Sequence, residues 1–503
     1  MPMSYVEAFP FVDWNEKVYV ECYSPFLKMG LFEKISFDFG PTLVRFLALR
    51  HPHYLKNLKN HKNAVFHPFY HVIYPLAGSL EKRINTYWGI RFHQEFFGKE
   101  PKGAWLPEAA VDSASLKVLL DFGIKFVVLG SHQLRPLEGS PYAPGVIELG
   151  SGEFIAVFPF HRERSNELSF GELLSSGEVF VKELCRWFSQ RTSDYSDFVL
   201  LATDGETFGH HRKGTVEVLS DALSRFSGAG KCRGITLISD LNEVYEKNFP
   251  GIFGSRFGLK ENTSWSCEHG IERWRRDCGC SSGANPDWNQ EWRAPLREAM
   301  DFLGKALEGL YFEAGEKIFR DPLDSLYDYW EILYLPVEYA LSVGKVFPHG
   351  VEGYFEFSRN RRIRYLKEKV KSSLSSDMTV LKFASLLLES MTLRFAMMTS
   401  CGWFFDDVKG YEATQNIRLS KGALRFMREA FAIAGRSMGK EYEDYSRRVD
   451  SIESTYLRIL GGARSNIGGD AREVYRAVLD GEEKRAIPEI FFLKGLNCLD
   501  RLG

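Results

Sequence analysis

Between residues 100 and 240 the chain alternates short apolar runs with helix-length segments, and this alternation narrows the available folds more than any other feature of the sequence. Lys125–Leu129, Phe154–Phe158, Phe198–Ala202 and Gly234–Ser239 read as strands. Helices are expected between them: one that Asp112 caps, with Leu116, Leu119 and Leu120 on one face and Gly123 as its stop, then Gly171–Gln190 and Val216–Phe226. Strands this short and this apolar, separated by helices, imply a parallel sheet covered on both faces, and a barrel or barrel-like sheet fits best. In such an architecture chemistry gathers at the C-terminal ends of the strands, which is where Glu108, His132, His161 and Asp204 fall. Upstream, Ile35–Arg50 reads as a strand entering a helix through Gly40-Pro41, and Trp88, Ile90 and Phe92 alternate ahead of a helix that leads to Gly98.

From about Pro295 the pattern changes to long amphipathic or buried helices: Leu296–Leu310, Leu323–Ser342, Arg361–Ser373, Val380–Met398, Ile417–Ala434, Tyr442–Leu460 and Asp470–Leu479. The expected organisation is a barrel over residues 1–294 and an all-α unit over residues 295–503. The most apolar stretch, Leu381–Met398, is interrupted by Lys382, Glu389, Ser390 and Arg394, so it reads as a buried helix and not a membrane span of roughly 20 apolar residues. The net charge of −2 argues for a neutral substrate and against a nucleic-acid or membrane partner. No phosphate-binding glycine loop accompanies Arg275-Arg276, and no cofactor is expected. Eight cysteines in 503 residues do not make a disulfide scaffold, and the start MPMSYVEAFPF lacks a signal-peptide pattern, so a cytoplasmic location is expected. Oligomeric state is not legible.

Two stretches carry the chemistry. In Trp105-Leu106-Pro107-Glu108 the proline forces extended geometry on Leu106, so the chain leaves its strand there and presents Glu108 beside an aromatic ring. Such a glutamate is either a catalytic carboxylate or a helix first-turn acid. In Thr203-Asp204-Gly205-Glu206, followed by His210-His211, two acids one residue apart must share a metal, pair with cations or divide labour through different pKa values. A third stretch, Cys267-x-His269 followed by Cys278-Gly279-Cys280, offers four zinc-type ligands at a spacing unlike the common zinc patterns. Trp265, His269, Arg273 and Trp274 are interleaved with these cysteines in the manner of a sugar-contacting loop of reduced thiols, and no metal is assigned. Trp403 to Asp407, rings followed by acids, suits either a lid over the barrel mouth or packing between the two units.

The WLPE and ATDGETFGHH motifs, together with DWNE, ISFDFGPTL, ENTSWSCEHGIERWRRDCGC, WNQEWRAPLREA and TSCGWFFDD, resemble glycoside hydrolase family 57, the retaining α-amylases, branching enzymes and 4-α-glucanotransferases. Together they resemble a branch of that family with a C-terminal helical domain of unknown function. The resemblance implies a (β/α)7-type barrel, an α-glucan or oligosaccharide substrate, Glu108 as nucleophile and Asp204 as general acid/base in a double displacement. It also implies substrate contacts from His71, Trp105, Glu206, His210, Trp265, His269, Trp274, Trp403 and Asp406. One departure stands out. The family's first strand ends in a His-x-x-Gln-Pro motif, and nothing before Asp13 matches it, so an incomplete or irregular barrel is expected. A catalytically silent carbohydrate-binding relative and a metal-dependent hydrolase of α-mannosidase type are the alternative readings.

Overall fold

The computed structural model describes residues 13–150, 152–189, 198–226, 235–344 and 351–477. Among these residues one sheet contains six strands: β1 (Gly103–Ala104), β2 (Phe126–Gly130), β3 (Leu134–Glu138), β4 (Gly145–Gly150), β5 (Glu153–Phe160) and β6 (Ser255–Leu259), in the order β1-β2-β5-β4-β6-β3. β1, β2 and β5 are mutually parallel. All five residues of β2 are buried, as a strand covered on both faces requires. Successive side chains leave such a strand on opposite sides. Phe126 and Val128 join Val65, Phe158, Phe160 and Phe253 in a small interior cluster, whereas Val127, Leu129 and Val157 join the main core under the helices.

The parallel succession continues upstream of β1 through bridges that pair Phe66 with Ala104 and Phe37 with Ala64. Downstream it thins out. The expected strands Phe198–Ala202 and Gly234–Ser239 are not strands among the described residues. The first meets the sheet where His161 N–H donates to the Leu200 carbonyl at 2.9 Å, and the second where the Ser36 hydroxyl donates to the Ser239 carbonyl at 3.1 Å. Isolated bonds of this kind do not make a ladder, and the barrel is not closed among the described residues. In its place β4, antiparallel to β5, carries the sheet on to β6 and β3. This extension was not foreseen: β3 is mostly exposed and β4 only alternates, so neither shows the apolar run of an interior strand.

The helix from Ser113 to Asp121 forms where the sequence places it, with the Asp112 carboxylate accepting from Ser115 N at 2.7 Å. Replacing Asp112 by alanine is expected to cost about 1–2 kcal/mol in urea unfolding, because an orphan amide loses its acceptor. A correction applies to Trp88, Ile90 and Phe92. They lie within one continuous helix, Ser79–Phe97, ended by left-handed Gly98. Their alternation reflects burial on several sides: Trp88 is fully buried and its indole N–H reaches the carbonyls of Leu326 and Tyr327 at 3.0 and 2.9 Å.

The second half is helical, as expected: Arg293–Ile318, Pro322–Tyr327, Trp330–Val343, Val351–Lys369, Met378–Ala396, Tyr411–Ser437, Glu441–Leu460 and Ala471–Ala477. Met378–Ala396 is buried along almost its whole length from Val380 onward, which explains its apolar composition. No described helix is long and apolar enough to cross a membrane. One contiguous apolar cluster includes residues of both halves. Polar contacts reinforce the seam: Val72 bridges Thr399, and buried Arg394 pairs with buried Glu81 at 2.8 Å.

Candidate active site

Glu108 is delivered by backbone geometry. β1 is locked to the preceding segment by Phe66 N–H to the Gly103 carbonyl and Trp105 N–H to the Phe66 carbonyl, at 2.8 and 3.0 Å. After Pro107 the chain turns through left-handed backbone at two non-glycine residues, Glu108 (φ 57°) and Ala109 (φ 46°). Each such residue costs about 1–3 kcal/mol and persists only where neighbours hold it. The neighbours are identifiable. Trp265 N–H donates to the Glu108 carbonyl at 3.0 Å, the Gln133 amide donates to the Ala109 carbonyl at 2.7 Å, and Val111 bridges Thr263.

The same loop grips the side chain. Ser266 Oγ and Trp265 Nε1 donate to Glu108 Oε2 at 2.5 and 3.2 Å. Burial raises the Glu108 pKa, and these two donors, with the Arg273 charge, oppose the rise. Trp105 and Trp265 stand edge to face beside it, ring centres 4.8 Å apart, capping the small interior cluster.

Asp204 begins a short turn, accepting through its backbone carbonyl from Thr207 N–H at 3.1 Å. Water reaches its side chain, yet the group is set deep among protein atoms. That withdrawal from solvent, followed by the charges of Glu206, Glu108 and Asp38, pushes its carboxyl up to about 8. Glu206 accepts a hydrogen bond from the Tyr23 hydroxyl, and Cys22 Sγ donates to the Gly205 carbonyl at 3.2 Å. Asp38 is itself raised to about 7, chiefly by burial and then by Glu206. Asp204 therefore sits within reach of the charges of three other carboxyl groups, Glu206, Glu108 and Asp38.

The histidines support this cluster from behind. His67 Nδ1 must donate to the Pro68 carbonyl at 2.7 Å, so its unprotonated Nε2 faces Asp38 Oδ2 at 3.8 Å. Burial lowers His67 to about 4 and holds His71 well below its ordinary value, and the two rings stack with centres 5.4 Å apart. His71 Nδ1 is paired with Ser400 Oγ from the helical half at 2.7 Å. His210 turns to Glu21 at 2.7 Å.

Three expected substrate contacts are corrected. Trp274 and Trp403 are fully buried, leaving no face for a sugar. The Trp403 indole N–H donates to the Arg293 carbonyl at 3.2 Å, and Arg297 stacks over its ring at 4.0 Å. Asp406 is buried and accepts from the backbone N–H and hydroxyl of Ser282, so it anchors the 263–282 loop to the helical half. His269 is exposed beside Cys280. His132 bonds the Ser264 carbonyl at 3.1 Å, and His161 stacks on Tyr142.

The residues missed by sequence reasoning are Tyr23, Asp38, His67, Ser266 and Ser400. Asp38 had a usable signal, since Ile35-Ser36-Phe37-Asp38 ends a short apolar run in a carboxylate just as the runs before Glu108 and Asp204 do.

Residues 31–252 match the model of glycosyl hydrolase family 57. That part of the chain, somewhat less than half of it, carries the family's pattern. Beyond this part, residues 288–485 match a domain of unknown function (DUF3536). Alpha-amylase 1 of Dictyoglomus thermophilum is 27% identical over 206 residues, 39% of this chain. The match spans only 29% of that relative's length. An exo-type maltose-forming amylase from Pyrococcus sp. ST04 shares the fold at 15% identity, with a TM-score of 0.68 over 98% of this chain and 87% of its own. The family 57 branching enzyme of Pyrococcus horikoshii is also similar, at 15% identity and a TM-score of 0.50, over 94% of this chain and 95% of its own.

Proposed function

We propose that this chain is a retaining glycoside hydrolase or transglycosylase acting on α-glucans by double displacement. The observation that carries this reading is the pairing of two unlike carboxyl groups: Asp204 is pushed up to about 8 by withdrawal from solvent and by neighbouring charges that include Glu108, whereas the upward push of burial on Glu108 is opposed by its bonds from Ser266 and Trp265 and by Arg273. Glu108 attacks the anomeric carbon and forms a glycosyl ester while the bond to the leaving oxygen breaks and Asp204 supplies its proton. Asp204 then takes a proton from water or an acceptor sugar hydroxyl, whose oxygen attacks from the face the leaving group vacated, breaks the ester bond to Glu108 and so retains the α configuration. The Trp105 and Trp265 rings offer a platform for the sugar's apolar face. The amylase and branching-enzyme relatives favour α-linked glucose as substrate.

Incubation with maltooligosaccharides and amylose, followed by proton NMR, tests the reading. Product first seen as the α anomer supports it; first-formed β product, or binding without turnover, overturns it.

Two variants probe the division of labour through pH. Ser266→Ala removes a donor that favours the charged form of Glu108, so the Glu108 pKa should rise and the acidic limb of kcat/KM should move to higher pH. Glu206→Gln removes a negative charge beside Asp204, so the alkaline limb should move to lower pH. Limbs that stay in place in both variants would exclude these two carboxyl groups from the roles assigned to them.

A further inference from the structure

Cys267, His269, Cys278 and Cys280 lie some distance apart along an irregular loop, yet their ligand atoms, three sulfurs and one imidazole nitrogen, all fall within 4.8 Å of one another. Cys267 Sγ is 3.9 Å from Cys278 Sγ and 3.8 Å from Cys280 Sγ, and Cys280 Sγ is 3.5 Å from His269 Nδ1. A tetrahedral zinc ion, with bonds of about 2.3 Å to sulfur and about 2.0–2.1 Å to nitrogen, sets its ligands about 3.8 Å apart for sulfur pairs and about 3.5–3.6 Å apart for sulfur and nitrogen. These three separations match those edges, and the other three ligand pairs lie within 4.8 Å. A disulfide needs sulfurs about 2.05 Å apart, so no pair measured here is bridged.

We propose that these four residues form a closed, structural zinc site that no metal-independent role of the loop accounts for. The donor set, three soft thiolates and one imidazole at the corners of a tetrahedron, selects zinc over harder cations. All four positions are filled by the chain, so the ion has no open position for substrate or water and its role is structural.

The surroundings are built for such a knot. Backbone N–H groups of His269 and Arg273 are directed at the Cys267 sulfur, that of Cys280 at Cys278, and that of Glu268 at Cys280. Left-handed Gly279 makes the tight turn between the last two ligands, and its N–H donates to Asp277 Oδ1 at 2.9 Å. Three thiolates and one zinc ion leave one net negative charge. Two guanidinium groups face it: Arg273 spans the carbonyls of Ser266 and Ser281 at 3.0 and 2.8 Å, and Arg293 donates to the Cys280 carbonyl at 2.8 Å. The ion would thus close the two ends of a loop of 263–282 whose near end, Trp265 and Ser266, holds Glu108 and whose far end, Ser282, is tied to Asp406. Zinc binding itself does not depend on the catalytic reading.

The test is elemental analysis of the full chain, purified without an affinity tag that binds metal. About one zinc per chain is expected, falling below about a tenth in the Cys278→Ser/Cys280→Ser double variant and unchanged in Cys401→Ser. Protein grown on cobalt should show thiolate-to-cobalt charge-transfer absorption with the visible bands of a tetrahedral site, which decides the question in the wild-type chain even where the double variant does not fold. Chelation should speed amide exchange in residues 263–282 and leave the helix Arg293–Ile318 unchanged. A wild-type chain with no stoichiometric metal, metal that survives in a folded double variant, or a disulfide between any two of the three cysteines would overturn the proposal.

Discussion

Glu108→Gln is expected to lose turnover on every α-glucoside, whereas Asp204→Asn should lose it selectively. Without the Glu108 carboxylate no glycosyl ester forms, whatever the leaving group. Without the Asp204 proton the first step fails only when the leaving oxygen needs one: a sugar alkoxide does, and a nitrophenolate does not. General acid catalysis contributes about 10²–10⁴-fold, so on maltooligosaccharides Asp204→Asn should fall by that factor and Glu108→Gln by at least as much. On a nitrophenyl α-maltoside, Asp204→Asn should form the glycosyl enzyme readily and then stall, giving a burst of nitrophenol. Added azide separates the two roles by stereochemistry. Asp204→Ala should give the α-glycosyl azide through the intermediate, and Glu108→Ala the β-azide by direct attack. The reverse pairing of anomers would exchange the two assignments, and full activity in either variant would remove that residue from the mechanism.

Arg394→Met should destabilise the chain by about 3–5 kcal/mol, the cost of leaving a buried carboxylate without its partner. Arg394 and Glu81 are 5% and 2% exposed, so Glu81 has no solvent to turn to. Besides its 2.8 Å bond to Glu81, Arg394 touches Glu308 at 3.5 Å and the Gly304 carbonyl at 3.4 Å, which ties three helices at one point. The double variant Arg394→Met/Glu81→Met removes both charges and should recover much of the loss, since an apolar pair of similar volume is often as stable as a buried ion pair. Urea unfolding of the two single variants and the double variant closes a thermodynamic cycle. A loss under 1 kcal/mol for Arg394→Met would mean that water or another cation compensates Glu81.

The helices of the second half were legible because their apolar residues recur at helical spacing over many turns, and the Asp112 cap because its chemistry is local. Glu108 and Asp204 stand out in the sequence as candidates because each follows an apolar run with a carboxylate. What failed has a common physical origin. Trp274, Trp403 and Asp406 have the composition of a sugar-binding rim, but large rings and acids serve equally well as filler and anchor between packed elements, and only tertiary context tells these apart. The unclosed edge near residues 198–203 was unreadable because apolarity predicts burial, not a ladder of bonds. For the cysteine loop, spacing along the chain does not show which side chains meet, because their distance in space is set by the turn at Gly279 and the anchors at Arg273 and Arg293.

The pairing of His71 with Ser400 joins residues 329 positions apart. At a synthesis rate of about 5–20 residues per second, the first of these waits on the order of tens of seconds before the second has even been made. During that interval the N-terminal segments hold their carboxylates, histidines and apolar rings without the helices that later cover them. Assembly of the site therefore waits on synthesis of the helical half, and until then the segment around His71 lacks the surface that later covers it.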